Sequence, residues 1–285
     1  MNTRVVAVVV TWNRRDLLEE SLAALDAQTL PPSRVVVVDN ASTDGTAGLL
    51  ASSYAGHDRY DIVSLTANTG GAGGFTAGIE RALTHDPELV WLLDDDTVPT
   101  ATAAEELVRA WTSYAGAGSP HGRPALLASK VVWTDGRDHP MNTPRPKPAA
   151  SRAERAAAEA IGCVPIRSAS FVSVMCDVDV VRERGLPVAD YFLWNDDFEY
   201  STRLIRGNVG LYCPASVVEH KTKVFGSTDA DPGERFFYEV RNKVWMFTRS
   251  RSLSAREKAM YGAATARRWA RTFRASDDRA TLRRG

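Results

Sequence analysis

No apolar run in these 285 residues approaches the length needed to cross a bilayer. The opening run, Val5 to Val10, is too short for the apolar stretch of a secretion signal, and no small-residue cleavage site follows it. Cysteine is scarce. Cys163, Cys176 and Cys213 are odd in number and sit in apolar surroundings, which argues for reduced core thiols rather than a disulfide scaffold. The expected location is therefore the cytoplasm. Net charge is absent too, with 35 Lys and Arg against 35 Asp and Glu. Two phosphate-binding signatures are also missing. No Gly-Lys-Ser/Thr closes the glycine-rich stretch at 70–74, and that stretch does not follow the first strand, as a dinucleotide fingerprint would.

The zero net charge hides an asymmetry. From Arg241 onward there are 13 Lys and Arg against 3 Asp and Glu, so the tail carries about +10 and the preceding 240 residues about −10. An acidic main body argues against a broad phosphate-binding surface, and hence against nucleic acid as a partner. The length and the 44% hydrophobic content suit one large domain with an appendage.

Along the chain, strand and helix patterns alternate. Arg4 to Val10 is a β-branched run of the kind buried on both faces. Asn13 is a candidate cap for a helix with Leu18, Leu22 and Leu25 at helical spacing. A second strand, Arg34 to Val38, ends in Asp39, and a third spans Ile62 to Leu65. This βαβ pattern predicts a parallel sheet with right-handed crossovers. Ligands of such sheets bind beyond the carboxyl ends of the strands, which is where Asp39 falls. After the third strand, four glycines among Gly70 to Gly74 read as a nest of backbone amides for an anion.

The organising stretch is the next strand, Leu89 to Leu93, which runs directly into Asp94-Asp95-Asp96. Adjacent carboxylates at the lip of a sheet repel and are costly to desolvate, unless a cation shares them. The alternative is a solvated acidic turn. A second acidic group, Asp196, Asp197 and Glu199 after Trp194, crowds the start of a helix ending near Gly207, where capping alone explains one or two acids. Between the clusters lie a strand over Pro124 to Trp133, a proline-rich segment from Asp135 to Ala150 expected to be mobile, and a helix over Ser151 to Ala160. The stretch Ser168 to Cys176 is apolar, and Asn208 to Cys213 reads as a strand. His57, His85, His121 and His139 carry no assignment.

From Arg4 to His220 the chain resembles the family 2 inverting glycosyltransferases of the GT-A type. The resemblance rests on Val-Val-Thr-Trp-Asn-Arg, Val-Asp-Asn-Ala-Ser-Thr-Asp-Gly, the triple Asp, and Asp-Asp-Phe-Glu-Tyr with Arg203, in that order. The stretch Asn68 to Phe75, Trp194 to Glu199, and Tyr238-Glu239-Val240-Arg241-Asn242 are more narrowly similar to actinobacterial galactofuranosyltransferases; rhamnosyltransferases share much of the pattern. The resemblance implies an α/β, Rossmann-like GT-A sheet, mostly parallel and flanked by helices, over residues 1–240, with a basic helical extension over 241–285. It implies transfer of a sugar from a nucleotide donor, UDP-galactofuranose or alternatively dTDP-rhamnose, to a glycan, lipid-linked or small-molecule acceptor in cell-wall or glycolipid synthesis. It also implies roles. Thr11, Asp39 and Asn68 hold the nucleoside, Asp95 reaches the ribose or donor sugar, and Asp94, Asp96 and His220 bind Mn²⁺ or Mg²⁺. Asp197 is the general base, Asp196 and Glu199 orient the acceptor or hold the site in shape, and Trp194 stacks on a sugar or packs in the core.

The tail mixes Trp245, Phe247, Trp269 and Phe273 with Arg and Lys. It fits either an anionic membrane surface or a helix packed on the domain or on a second copy. Two rival readings are a phosphatase, since Asp94 to Val98 satisfies an Asp-x-Asp-x-Thr/Val pattern, and a sugar-nucleotide-binding module without catalysis.

Overall fold

A computed structural model describes residues 3–114, 122–225, 233–276 and 278–283; His121 and, in the basic tail, Asp277, Arg284 and Gly285 lie outside the described residues. The first half contains β1 (Val5–Thr11), α1 (Arg15–Asp26), β2 (Arg34–Asp39), α2 (Thr46–Leu49), β3 (Tyr60–Ser64), α3 (Gly70–Leu83), β4 (Leu89–Asp94), β5 (Thr97–Pro99) and α4 (Ala103–Ser113). Then come β6 (Leu126–Val132), β7 (Arg145–Pro146), α5 (Arg152–Glu159), β8 (Val164–Ser168), β9 (Ser173–Asp177), α6 (Val178–Arg184), α7 (Asp196–Ile205) and β10 (Gly210–His220). The chain closes with α8 (Phe236–Thr248), α9 (Ala255–Ala275) and α10 (Arg279–Leu282).

Among the described residues, ten strands form one sheet in the order β3-β2-β1-β4-β9-β6-β10-β8-β7, with β5 on β10. β1 to β4 run parallel, as do β6 and β10, while β9 lies antiparallel between β4 and β6. The sheet is thus mixed but mostly parallel, as expected. The apolar stretch Ser168–Cys176 does not form one element. It divides between the end of β8 and β9, and both run against the rest.

The β-branched runs are explained by helices on both faces. Val5, Ala7 and Val9 pack with Leu18, Leu22 and Leu25 of α1 and with Trp111 of α4. Val6, Val8 and Val10 pack with Phe75 and Ile79 of α3. Burial on both sides makes continuous apolar strands favourable, at roughly 1.5–3 kcal/mol for each fully buried aliphatic side chain.

The glycines of α3 serve this packing. A Cβ on Gly74 would stand 2.4 Å from Val10 Cγ1, and one on Gly70, whose φ is +70°, would stand 2.0 Å from the Phe192 carbonyl oxygen. The expected anion nest is not what these residues form. The Gly70 N–H donates to Asn68 Oδ1 and the Ala72 N–H to Phe192 O, so both amides are spent within the protein.

The proline-rich segment, expected to be mobile, is anchored. The His139 N–H donates to Val131 O and the Lys147 N–H to Pro165 O, and β7 pairs with β8. His139 and Asn142 are buried. The strand edges supply the backbone partners that a free loop would take from water.

In the tail, Ser254 and Glu257 form a capping box at the start of α9. Arg167 of β8 binds Glu257 at 2.8 Å, and Tyr261 meets Phe198 edge-on. Arg256, Met260, Arg267, Arg271 and Arg274 remain exposed on the opposite side. The expected division after residue 240 falls inside α8. No helix among the described residues is long and apolar enough to cross a membrane.

Candidate active site

The triple Asp and His220 lie 124 or more positions apart in sequence, and β5 unites them. β5 follows the acids at once and pairs antiparallel with β10, which sets His220 opposite Thr97. The Lys221 N–H then donates to Asp96 O at 2.8 Å. One ligand atom each from Asp94, Asp96 and His220 lie within 4.8 Å of one another. Asp95, in the turn that joins β4 to β5, is not part of that cluster. It accepts the Trp12 N–H at 3.3 Å and an Arg14 N–H at 3.2 Å.

The chemistry of the donor set suits a divalent cation. Asn142 Nδ2 donates to Ser170 Oγ, which turns Asn142 Oδ1 toward His220 Nδ1 at 2.9 Å. Nδ1 therefore carries the proton, and Nε2 presents its lone pair 3.1 Å from Asp96 Oδ1. Two acceptors face each other there, and Asp96 Oδ1 is buried with no aligned donor. A second ring proton or a metal ion resolves that contact. Two carboxylates and an imidazole fixed by an amide behind it are suitable for Mn²⁺ or Mg²⁺. The residues fit.

The charge balance agrees. Burial, reinforced by Asp96, pushes the Asp94 carboxyl up to about 7, and burial pushes Asp95 up to about 6. Burial also acts to raise Asp96, but His220 and Arg14 outweigh it and hold this carboxyl below its ordinary value. Three acids thus share one guanidinium and one imidazole, short of positive charge. Arg14, which pairs with both Asp95 and Asp96, was not singled out from the sequence. It stands at the cap position of α1, where Asn13 was expected; Asn13 instead adopts φ +54° and accepts the Thr43 N–H.

The nucleoside candidates line the carboxyl edge of the parallel strands. Thr11 pairs in register with Asp39, and Val10 with Asp94. Thr11 is buried beside Asp95. Asp39 Oδ1 accepts the Ser42 N–H, which is the turn role; its other oxygen has no protein partner among the described residues. Asn68 holds the Gly70 N–H, and Asn40, which the Val-Asp-Asn motif contains without a role of its own, grips Gly70 O and the Thr69 N–H from the other side. Trp12, half exposed at the tip of β1, is another residue missed. It sits inside the Thr-Trp-Asn-Arg motif, and that position was the available signal.

The second acidic group divides. Asp196 and Asp197 begin α7. Burial, then the neighbouring Asp197 charge, lifts Asp196 to about 8. Burial also raises Asp197, whose Oδ1 accepts the Phe198 N–H while Lys243 and Arg145 favour its ionised form. Glu199 corrects the acceptor-orienting expectation. It is buried, chelated by Arg203 at 3.0 Å and bonded to Ser250 Oγ at 2.5 Å, so its oxygens are taken and it holds α7 in place. Trp194 is partly exposed at φ +67°, in a segment where Phe192 and Asn195 also have positive φ.

That strained segment is held by α8. The buried Asn242 amide donates to the carbonyls of Tyr191, Leu193 and Trp194 at 2.7–2.9 Å. Arg241 takes those of Asp190 and Tyr191, and Asn195 binds Glu239 Oε2 at 2.8 Å. Asn242→Ala would leave these carbonyls without their donor. It is expected to lower unfolding free energy by about 3 kcal/mol. Denaturant titration checks this, and a loss under about 1 kcal/mol would contradict the pinning role.

The family described as "Glycosyl transferase family 2" matches residues 6–123. Galactofuranosyltransferase GlfT1 of Mycobacterium tuberculosis is 29% identical over 292 aligned positions, covering 92% of this chain and 88% of the relative. Among solved structures, S. aureus TarS superposes with a TM-score of 0.64 at 16% identity over 97% of this chain, which spans 45% of the length of that protein. Its fragment 1–349 in complex with UDP-GlcNAc gives 0.63 at 16% identity, covering 96% of this chain and 74% of the fragment. GalNAc-T7, solved with UDP, GalNAc and Mn²⁺, gives 0.59 at 13% identity, covering 85% of this chain and 51% of that one. With its GT-A architecture and the acids at the carboxyl edge of its sheet, the chain is a glycosyltransferase, and residues 6–123 are the part that matches the family 2 model.

Proposed function

We propose that this protein catalyses metal-dependent, inverting transfer of galactofuranose from UDP-galactofuranose to an acceptor hydroxyl in cell-wall or glycolipid synthesis. One observation carries the mechanism. A carboxylate–imidazole cluster suited to a cation, Asp94, Asp96 and His220, lies within electrostatic reach of a separate half-buried acid pair, Asp196 and Asp197. The donor sugar is inferred from the GlfT1 relative, and the uridine nucleotide from the UDP in the TarS and GalNAc-T7 structures.

Thr11, Asp39 and Asn68 would hold the nucleoside at the strand ends, with Asp95 fixing Trp12 and Arg14 beside it. Asp94, Asp96 and Nε2 of His220 would hold Mn²⁺ or Mg²⁺, which supplies charge neutralisation for the diphosphate leaving group. Asp197, whose ionised form the Lys243 and Arg145 charges favour, would take the proton from the acceptor hydroxyl as it attacks the anomeric carbon in line. Asp196, protonated beside it, would donate a hydrogen bond to the acceptor. Trp194 would cover a sugar face. The catalytic unit would span residues 1–240 and use the start of the extension as its brace. The exposed Arg residues of α9 would contact anionic lipid at the inner face of the membrane, where a lipid-linked acceptor resides.

Incubation of the full chain with Mn²⁺ and separate donors tests the donor. UDP release from UDP-galactofuranose that stops on chelation is expected. Turnover of dTDP-rhamnose instead would replace the donor assignment, and cleavage of a simple phosphate ester alone would overturn the transferase reading.

A further inference from the structure

A cavity of about 360 Å³ opens beside the strained segment before α7, and the catalytic account leaves it unused. That volume falls within the usual size of small-ligand sites. Thr69, at the start of α3, forms one wall. Asp190 and Phe192 of the strained segment and Tyr238 and Arg241 of α8 form the others. The rings of Phe192 and Tyr238 stack at 5.1 Å and 22°, and the Arg241 guanidinium lies 5.1 Å from the centre of the Tyr238 ring. These contacts fix an aromatic surface. The polar groups around it have capacity to spare. Arg241 spends Nε on Asn242 Oδ1 and Nη2 on the carbonyls of Asp190 and Tyr191, while Nη1 has no partner among the described residues. The exposed Asp190 carboxylate has none among them either. Thr69 Oγ1 donates to Asn40 Oδ1, which leaves its lone pairs able to accept.

We infer that this cavity is a subsite for a neutral sugar ring of the acceptor, next to the sugar that carries the attacking hydroxyl. This rests on the transferase reading and names the acceptor class for it, a glycan longer than one sugar. The lining selects by exclusion. Asp190 repels an anion and Arg241 repels a cation. A bare hydrocarbon would strip water from both charged groups and return no hydrogen bond. A sugar ring satisfies every group. Its C–H face covers the aromatic surface, and its hydroxyls donate to the carboxylate and accept from the guanidinium. Position assigns the ring to the acceptor. Asp190 and Phe192 belong to the segment that runs into Asp196 and Asp197 at the start of α7. Trp194, within that segment, covers the sugar that reacts, so the cavity takes the next one along the glycan. The donor diphosphate is accounted for elsewhere, at Asp94, Asp96 and His220.

The test uses the full chain saturated with Mg²⁺ and UDP, with saturation-transfer NMR as the readout. The probes are the methyl glycosides of glucose, galactose, mannose, N-acetylglucosamine and galactofuranose. Saturable binding of at least one is expected. It should weaken at least tenfold in Tyr238→Ala and at least threefold in Asp190→Ala, with UDP affinity held within twofold in both. Asp190→Ala removes only an exposed carboxylate, so its effect reads the site rather than folding. Absence of saturable binding to the wild-type chain overturns the subsite, as does unchanged binding in either variant. A parallel loss of UDP affinity also overturns it, since the cavity would then serve the donor. Failure of the wild-type chain to bind UDP with Mg²⁺ overturns the transferase reading and the subsite with it, and it is distinguishable because it shows before any glycoside is added.

Discussion

Asp96→Ala is expected to weaken UDP binding in Mn²⁺ buffer by at least about 100-fold, or about 2.7 kcal/mol. Asp96 is the most committed member of the cluster. It faces His220 Nε2 with one oxygen, pairs with Arg14 through the other, and lends its backbone carbonyl to Lys221. Removing it takes away a cation ligand, and it also releases the guanidinium that shares the carboxylates. UDP alone should bind both forms weakly, because the diphosphate then meets uncompensated acids. Calorimetry with and without Mn²⁺ separates the effects. A variant that keeps wild-type affinity in Mn²⁺ would place the cation elsewhere. Asp95→Asn should cost much less, since Asp95 serves the backbone of Trp12 and the side chain of Arg14.

Much of this site was legible in order along the chain. The run Val90 to Leu93 ending in acids announces a buried strand with charge at its lip, because apolar periodicity and like-charge repulsion are local properties. His220 could be nominated only by resemblance. What brings it to Asp96 is β5, a three-residue strand that no propensity rule marks, joined to β10 by long-range pairing. The same limit hid Asn142. A segment with Pro140, Pro144, Pro146 and Pro148 reads as mobile, but its anchors are carbonyls of β6 and β8, supplied only once the sheet exists. Glycine was misread for a related reason. Composition shows that Gly70 and Gly74 permit close approach, yet not whether a ligand or Val10 and Phe192 occupies the space.

Glu199 shows the reverse case. Three acids at a helix start exceed what capping requires, and the surplus argued for function. One of the three is instead spent on Arg203 four residues on, a pair visible in the sequence itself as an i, i+4 match. Tyr238-Glu239-Val240-Arg241-Asn242 stood out by resemblance alone. Its physical meaning, a set of donors and acceptors bracing the strained turn before α7, depends on contacts 44–51 residues away in sequence.

Asp197→Asn is expected to lower kcat by 10²–10⁴, the range for losing a general base, while UDP affinity stays within about twofold. The amide keeps the shape and can still meet the Phe198 N–H through its oxygen, so any loss reports on proton transfer rather than folding. Asp196→Asn should behave differently, keeping transfer within about tenfold. Burial and the Asp197 charge already lift Asp196 to about 8, so the amide mimics the protonated form that prevails at neutral pH. Burial raises both carboxyls, and the Lys243 and Arg145 charges favour the ionised form of Asp197. Because burial raises the Asp197 carboxyl, its protonation begins above the ordinary carboxylate range. Transfer should therefore fall as pH drops through that raised value, and the fall should persist in Asp196→Asn. Rate profiles at saturating donor test both points. An Asp197→Asn enzyme retaining most of its turnover would move the base to another residue, and the Asp196 variant being the more damaged would exchange the two roles.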